Sequence, residues 1–206
     1  MIKKRFLIWI VIFGLFPSCI NMHDPKHQAE YNSCYNSFDP SFVDIMPKKI
    51  PNNLVSYEFA SLDNLKDLST FAGMSITTRI KDLEEYTELK KRFSENAKSI
   101  NNSLDSCLVI IKTYGKLKDG GQGNVICDKP IPVPQNSIFV ANDSTHLWER
   151  KKDVELIVLD FKYKDILNRR ESKLRKDMPP GLSAGFSKGI TLSKNDMTIQ
   201  KWLIVW

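Results

Sequence analysis

The sequence predicts an α+β fold in which a largely antiparallel sheet carries one or two packed helices. Short segments typical of β-strands recur from about residue 51 onward, and turn-rich segments separate them. Only one stretch shows a long helical period. The composition, with 42% apolar and 26% charged residues, is that of an ordinary globular domain.

The first predicted elements are a strand and a helix. In "LVSYEFA" (54–60) apolar and polar residues alternate, which predicts a strand. Ser61 is a good N-cap, and apolar residues follow at helical spacing until Gly73, which we expect to close the helix. The segment 74–80 favours a short strand.

The strongest helix prediction covers residues 81–100. Glu88 and Arg92 can pair on its polar face, and six apolar residues share the opposite face. These six are Leu83, Tyr86, Leu89, Phe93, Ala97 and Ile100. The apolar face predicts a helix packed on the sheet, and a partner-binding surface is the alternative.

The rest of the chain predicts mostly strands. They are expected at 107–114, 123–128, 137–141, 153–163, 186–193 and 197–206. The alternate prolines of "KPIPVPQ" (129–135) indicate an extended connector that cannot join a central ladder. "SKND" (193–196) is a plausible hairpin turn, and the apolar ending "TIQKWLIVW" (198–206) predicts a central strand buried on both faces.

The N-terminus has the features of a bacterial export signal. Lys3, Lys4 and Arg5 form a positive region, and an apolar run of eleven residues extends from Phe6 to Phe16. A helix of that length rises about 16 Å, well short of the ~30 Å hydrocarbon core of a bilayer. A permanent transmembrane anchor is therefore not expected.

The end of this signal, "GLFPSC", resembles the lipobox of bacterial lipoproteins, although Phe16 and Pro17 depart from the usual pattern. The resemblance covers the first 19 residues and implies that Cys19 is acylated, which would anchor the chain in a lipid bilayer. Ser18 supplies the small residue expected before the cysteine. Cleavage by ordinary signal peptidase and retention of the whole signal remain as alternatives.

The resemblance also implies a location and a domain plan. In proteobacterial lipoproteins, an Asp at the second position, after the acylated cysteine, marks retention in the inner membrane. This chain has no Asp there, so the resemblance favours the outer membrane. We expect a signal peptide over 1–18, an acylated and flexible tether over 19–50, and a single α+β domain over 51–206. The tether prediction follows from the polar, aperiodic sequence of that segment and from its two prolines.

Export implies an oxidising compartment, in which disulfides persist. If Cys19 is acylated, the best pair is Cys107 with Cys127, in the two strands of a hairpin whose loop centres near Leu117. Cys34 is then left over, as a free thiol, an intermolecular link or a swapped partner.

The segment 181–185, "GLSAG", matches the G-x-S-x-G motif of serine hydrolases. The nucleophile elbow requires a buried strand before Ser183 and a helix after it, whereas two prolines precede this serine and a strand-like segment follows it. A catalytic order of His146, then Asp153 or Asp160, then Ser183 is formally possible but lacks the expected context. We therefore expect a chance match and no enzyme.

Metal and cofactor sites are not expected either. His23 and His27 are four residues apart, but Pro25 lies between them. "DGGQGN" (119–124) lacks the Lys-Ser/Thr of a phosphate loop. Without the three cations of the signal, 27 of the 30 basic residues remain against 24 acidic ones, too small and too scattered an excess for nucleic-acid binding.

One charged stretch is a candidate binding surface. Residues 162–176 contain seven basic and two acidic side chains, which would suit an acidic protein partner or anionic lipid head groups, and a solvated surface is the alternative. The basic residues are Lys162, Lys164, Arg169, Arg170, Lys173, Arg175 and Lys176.

These observations lead us to expect a non-enzymatic envelope lipoprotein whose domain binds another protein, as a periplasmic immunity or envelope-assembly factor does. The first alternative is the binding of a small molecule or glycan in a pocket lined by aromatic residues such as Trp148, Trp202 or Trp206. The same tryptophans would otherwise belong to the core. A serine hydrolase that uses Ser183 is a remote alternative.

Overall fold

The computed structural model describes residues 24–67, 70–113, 116–117, 127–142, 147–171, 174–179 and 181–206. The helices are α1 (Pro25–Asn36), α2 (Pro40–Val43), α3 (Leu62–Asp67), α4 (Leu83–Ser94) and α5 (Gln135–Ile138). The strands of the first half are β1 (Leu54–Ala60), β2 (Ala72–Arg79), β3 (Ser99–Asn102), β4 (Leu108–Ile111) and β5 (Lys116–Leu117). The others are β6 (Ile131–Pro134), β7 (Phe139–Asn142), β8 (Leu147–Arg150), β9 (Val154–Lys162), β10 (Phe186–Ser193) and β11 (Thr198–Val205).

A six-stranded antiparallel sheet organises these elements, in the order β1-β2-β11-β10-β9-β3. The α+β prediction is therefore confirmed. β10 and β11 form the expected hairpin around "SKND", in which Ser193 pairs with Thr198. β11 lies between β2 and β10, so the prediction of a central strand is confirmed as well. Helices cover one face of the sheet, and short strands with a short helix cover the other. The apolar run of β11 is therefore buried on both sides.

The first face, which we call the helical face, packs against α1, α2 and α4. Beneath α4, Tyr86 and Leu89 contact a cluster that includes Ile157 and Ile190 of the sheet. Beneath α1 and α2, the apolar side chains cover Met74, Leu203 and other residues of β2, β10 and β11. The helix predicted at 81–100 is thus packed on the sheet, as expected.

The opposite face, which we call the cap face, packs against β4, β6 and α5. We call these three elements the cap. They place Leu108, Ile110 and other apolar side chains over Trp202 and Leu156 of the sheet. β4 and β6 form a separate two-stranded parallel sheet, so the proline-rich segment stays outside the central ladder, as predicted. β5, β8 and β7 form a third, three-stranded sheet.

The tether prediction for residues 19–50 is wrong for the described part of that segment, residues 24–50. Tyr31 and Cys34 of α1 are buried against the helical face, together with apolar residues that follow α1. Two Asp-Pro pairs start the two helices. The carboxylates of Asp24 and Asp39 accept hydrogen bonds from backbone N–H groups, and each aspartate precedes a proline in the first helical turn.

Two predicted helices are longer than the helices in the structure. α4 begins after its N-cap Asp82, whose carboxylate accepts a hydrogen bond from the Glu85 N–H, and it ends at Ser94. Ile100 consequently belongs to β3, where its side chain is 48% exposed. α3 ends at Asp67, and Gly73 lies within β2. A Cβ at Gly73 would lie 2.3 Å from the Leu203 carbonyl oxygen, so close strand approach requires glycine there.

The disulfide between Cys107 and Cys127 is present, with 5.3 Å between the two Cα atoms. The expected hairpin around this disulfide is wrong. The strand that follows Cys107 is β4, and it pairs in parallel with β6 rather than with a strand that contains Cys127. The Ile131 N–H donates to the Cys107 carbonyl oxygen at 2.8 Å, which brings the chain back beside Cys107 in the parallel direction. Residues 123–126 of the predicted second strand lie outside the described residues. The strand predicted at 137–141 begins as α5 and continues as β7.

Candidate functional site

A cavity of about 130 Å³ lies between the sheet and the cap, on the cap face near β1 and β2. Its floor is a row of three residues on neighbouring strands, because Ser75 of β2 is paired with both Glu58 of β1 and Trp202 of β11. Side chains at paired positions point to the same face of a sheet. Asn136 of α5 and Thr113, just after β4, line the side opposite this floor. We call this space the Glu58 cavity.

The sheet fixes the floor of the cavity through specific contacts. The Trp202 indole N–H donates to the Thr191 hydroxyl oxygen at 3.1 Å, and the Gln200 side-chain amide donates to the Ser75 hydroxyl oxygen at 2.7 Å. A Cβ at Gly189 would lie 2.7 Å from Cζ2 of Trp202, so the ring rests directly on the β10 backbone. The floor is therefore held in one arrangement.

A half-buried lysine, Lys151, holds the opposite side. The Lys151 ammonium donates to the Asn136 carbonyl oxygen at 2.8 Å, and the Lys151 N–H donates to the Ile138 carbonyl oxygen at 2.8 Å. Burial lowers the pKa of Lys151 to about 8, against a weaker raising effect of Asp196. These two contacts fix α5 at the position that brings the Asn136 side chain to the cavity.

Glu58 supplies the ionisable group of the cavity. The Asn136 side-chain amide donates a hydrogen bond to a Glu58 carboxylate oxygen. Desolvation by burial raises the pKa of Glu58 above its ordinary value, and the hydrogen bond from Asn136 opposes that effect only in part. No Lys, Arg or His belongs to the described lining of this cavity. The carboxylate of Glu58 therefore has no cationic partner among the described lining residues.

Two of the lining residues also have buried polar atoms without a hydrogen-bond partner in the described part of the chain. These atoms are the Thr113 hydroxyl oxygen and the Asn136 side-chain carbonyl oxygen, and the Gln200 side-chain oxygen lies in the same state beside Ser75. A buried polar group left unsatisfied costs about 1–3 kcal/mol of stability.

The basic stretch 162–176 is divided by internal ion pairs. The Arg169 guanidinium contacts Asp165 at 2.9 Å and the Trp206 carbonyl oxygen at 2.7 Å, and its side chain is 6% exposed. Arg175 contacts Asp177 at 2.9 Å and the Lys112 carbonyl oxygen at 2.7 Å, and its side chain is 5% exposed. For these two residues the prediction of a partner-binding role is wrong, because their donors hold the protein's own loops.

The other predicted basic residues have different positions. Lys162, Lys164, Arg170 and Lys176 are exposed, whereas Lys173 lies outside the described residues. Lys162 and Lys164 border an open cleft of about 550 Å³ between α2 and the sheet. That cleft also contains the carboxylates of Asp44, Asp160 and Asp165, so it is mixed in charge.

The surroundings of Ser183 differ from a nucleophile elbow. The Ser183 carbonyl oxygen accepts a hydrogen bond from the Arg175 N–H at 3.0 Å, and the chain then enters β10 rather than a helix. Gly181 has φ +78°, which explains one glycine of the motif as a turn residue. His146 lies outside the described residues.

The remaining candidates have structural contacts. The side chain of His27 lies 3.1 Å from the Tyr57 hydroxyl oxygen, and His23 and Cys19 lie outside the described residues. Across the described ranges, no group of three or more His, Cys, Asp or Glu side chains is arranged to hold a metal ion. Cys34 is a free, buried thiol, and burial raises its pKa to about 12.

The three tryptophans named from the sequence have different roles. Trp202 is fully buried and also lines the Glu58 cavity. Trp206 is a core residue whose indole N–H donates to the Leu182 carbonyl oxygen at 2.9 Å. Trp148 is half-buried against the apolar cluster of the cap. Sequence reasoning therefore named one residue of the cavity, and it missed Glu58, Thr113 and Asn136.

Comparisons with protein-family models, curated proteins and solved structures find no match to this chain. Among the helices in the described ranges, none is both long enough and apolar enough to cross a membrane. The Glu58 cavity and the exposed basic side chains are therefore the features from which a function can be argued.

Proposed function

We propose that this chain is a cell-envelope lipoprotein whose α+β domain binds a small molecule in the Glu58 cavity and does not catalyse a reaction. One observation carries the proposal. Thr113 and Asn136 line the same cavity as a carboxyl group that is partly desolvated, and each has a buried side-chain oxygen without a partner in the described part of the chain. A cavity with a few convergent polar groups and a perturbed pKa is the usual form of a ligand site.

The size of the cavity limits the ligand. A space of about 130 Å³ is close to that of an engineered cavity of roughly 150 Å³ that binds benzene. The buried ligand group would therefore have about six to eight non-hydrogen atoms. A larger molecule would have to extend beyond the cavity.

Filling the cavity tests this proposal. Ala60 lies two residues after Glu58 on the same face of β1 and lines the cavity, so Ala60→Leu is expected to occupy it. Val55→Leu on the exposed part of the same strand is the matched control. We expect members of a library of small polar fragments to raise the Tm of the wild type and of Val55→Leu by a few degrees, and to leave Ala60→Leu unchanged.

Two outcomes would contradict the proposal. One is that no fragment stabilises the wild-type chain. The other is that Ala60→Leu responds like the control, because binding would then occur elsewhere. Backbone amide NMR shifts of Ser75 and Asn136 on fragment addition would locate the binding directly.

The envelope location is a separate part of the proposal and rests on the export signal and the lipobox-like "GLFPSC" before Cys19. We expect the chain to incorporate labelled palmitate in a bacterial host and to enter the detergent phase on extraction. Cys19→Ser is expected to abolish both properties. Labelling of Cys19→Ser at the wild-type level would contradict acylation at this position.

A second candidate function is the binding of an acidic protein by Lys162, Lys164, Arg170 and Lys176. The supporting observation is that these four cations are exposed on one short stretch, whereas its buried arginines satisfy Asp165 and Asp177 internally. Reversing all four charges is expected to abolish capture of an acidic partner from envelope extract at low salt. The control reverses four exposed lysines elsewhere, Lys48, Lys49, Lys129 and Lys194. Equal capture by both variants would exclude this surface.

A further inference from the structure

We infer that the Glu58 cavity selects a small organic ammonium ion, with the ammonium group at Glu58 and an apolar body of a few carbon atoms. The inference rests on the proposed function and adds the chemical class of the ligand. It follows from which polar groups line the cavity and from which are missing in its described lining.

The lining offers hydrogen-bond acceptors, and the one charged group among its described residues, the ionised Glu58 carboxylate, can only accept. Glu58 contributes a carboxylate to the lining, and Asn136 and Thr113, which also line the cavity, each carry a side-chain oxygen without a partner in the described part of the chain. The Asn136 amide already donates to Glu58. An ammonium group brings three N–H donors and no acceptor, so it complements this set.

Charge leads to the same class. In the described lining, Glu58 is the only ionisable group, and no cation offsets it. A ligand with a carboxylate or phosphate would meet the Glu58 charge and find no basic side chain there. A positively charged ligand would form a charge-assisted hydrogen bond, which is about twice as strong as a neutral one.

The rest of the lining is apolar. Phe71, Pro134, Trp202 and Ile204 line the cavity beside the polar groups, and aromatic rings attract organic cations as well as hydrocarbon. The ligand should therefore have a compact hydrocarbon part next to its charge. A fully hydrated inorganic cation would leave these side chains without contacts.

Three probes of nearly equal size test the inference on the full chain. Cyclohexylamine is a cation near neutral pH, cyclohexanol is neutral, and cyclopentanecarboxylate is an anion. We expect titration by amide NMR at pH 7.5 to give at least a tenfold lower Kd for cyclohexylamine than for cyclohexanol. No saturable binding is expected for the carboxylate.

Glu58→Gln removes the charge and keeps the shape of the side chain. We expect the ratio of the cyclohexanol Kd to the cyclohexylamine Kd to fall from at least ten to about one in this variant. Glu88→Gln, on the exposed face of α4, is the matched control and should keep the wild-type ratio. The amine Kd of the wild type should also rise as the pH falls through the pKa of Glu58.

Several outcomes would overturn the inference. Cyclohexanol binding as tightly as the amine, or an unchanged ratio in Glu58→Gln, would show that the charge does not select the ligand. If fragments bind in the cavity but amines show no preference, the inference fails and the proposed function stands. If Ala60→Leu also has no effect on any fragment, the proposed function fails with it.

Discussion

The two faces of the central sheet differ in how they treat polar groups. On the helical face, charged side chains pair across elements: the Lys188 ammonium lies 2.8 Å from both carboxylate oxygens of Asp44, and Lys90 lies 2.9 Å from Glu155. On the cap face, Glu58, Thr113 and Asn136 surround a cavity with no cation in its described lining. The difference lies in these charged groups: Lys188 and Lys90 of the helical face have carboxylate partners, whereas Glu58 of the cap face has no cation among the described lining residues of its cavity, and a ligand can supply one.

The largest predicted effect concerns the N-terminal helix. Tyr31 is fully buried beneath α1, and its hydroxyl donates to the Pro47 carbonyl oxygen. Truncating a buried aromatic side chain costs about 3–5 kcal/mol. We expect Tyr31→Ala to lower the free energy of unfolding by that amount in urea denaturation, and half-buried Tyr35→Ala to lower it less. Equal stability of Tyr31→Ala and wild type would mean that residues 24–50 behave as a tether.

The second effect concerns the cap. The Cys107–Cys127 bond closes a loop with a sequence separation of 20 residues. In the chain-entropy account, such a loop contributes roughly 3 kcal/mol. We expect the double variant Cys107→Ser, Cys127→Ser to lose about that much stability, and reductant to lower the wild type to the same level. If reductant destabilises the double variant further, another bond would be responsible.

The central sheet and the N-terminal helices show what the sequence could predict. β1 and β10 have the bounds expected from the sequence, because alternation or burial marks each strand directly. The N-terminal helices carry weaker local signals. Tyr31, Cys34 and Phe38 have helical spacing, and an Asp-Pro pair lies at the start of each helix. The segment is polar on average, however, and a prediction from composition therefore assigns it to a flexible tether.

The Glu58 cavity was not predictable from local sequence. In "LVSYEFA" the apolar side chains Tyr57 and Phe59 alternate with Glu58, so alternation assigns Glu58 to a solvated face. The face is covered instead by α5, whose Asn136 lies 78 residues further along the chain. Alternation reports which side chains share a face, and it contains no information about which distant segment covers that face.

The ion pair between Lys188 and Asp44 on the helical face gives the third expected effect. Lys188 has a side chain only 11% exposed, and its ammonium donates to Asp44 and to the Ser41 carbonyl oxygen. Asp44→Ala is expected to lower the free energy of unfolding by about 1–2 kcal/mol, because it leaves a buried charge with fewer partners. Lys188→Met keeps the apolar stem without the charge and should cost less. Chemical denaturation measures both losses. If Lys188→Met lowers the free energy of unfolding more than Asp44→Ala does, the ion pair itself stabilises this face, and the avoidance of an unpaired charge does not explain the effect.

The smallest effect is on the pH dependence of stability through Glu58. Burial raises the pKa of Glu58 in the folded chain above its unfolded value, so the folded state holds this proton more tightly. The stabilisation is fully present below the unfolded pKa and is lost as the pH rises through the folded pKa. Relative to Glu58→Gln, the wild type should therefore become less stable over that interval, a small difference measured by urea denaturation from pH 3 to pH 8.

The exposed-face variant Glu88→Gln should show no such difference from the wild type. A cyclohexylammonium ion at saturation should reverse the trend, because it binds the ionised carboxylate and stabilises the folded state where the empty cavity destabilises it. A wild-type curve parallel to that of Glu58→Gln, with and without the amine, would mean that Glu58 is solvated. The contrast between the two faces would then lie in their packing, with no difference in how they compensate charge.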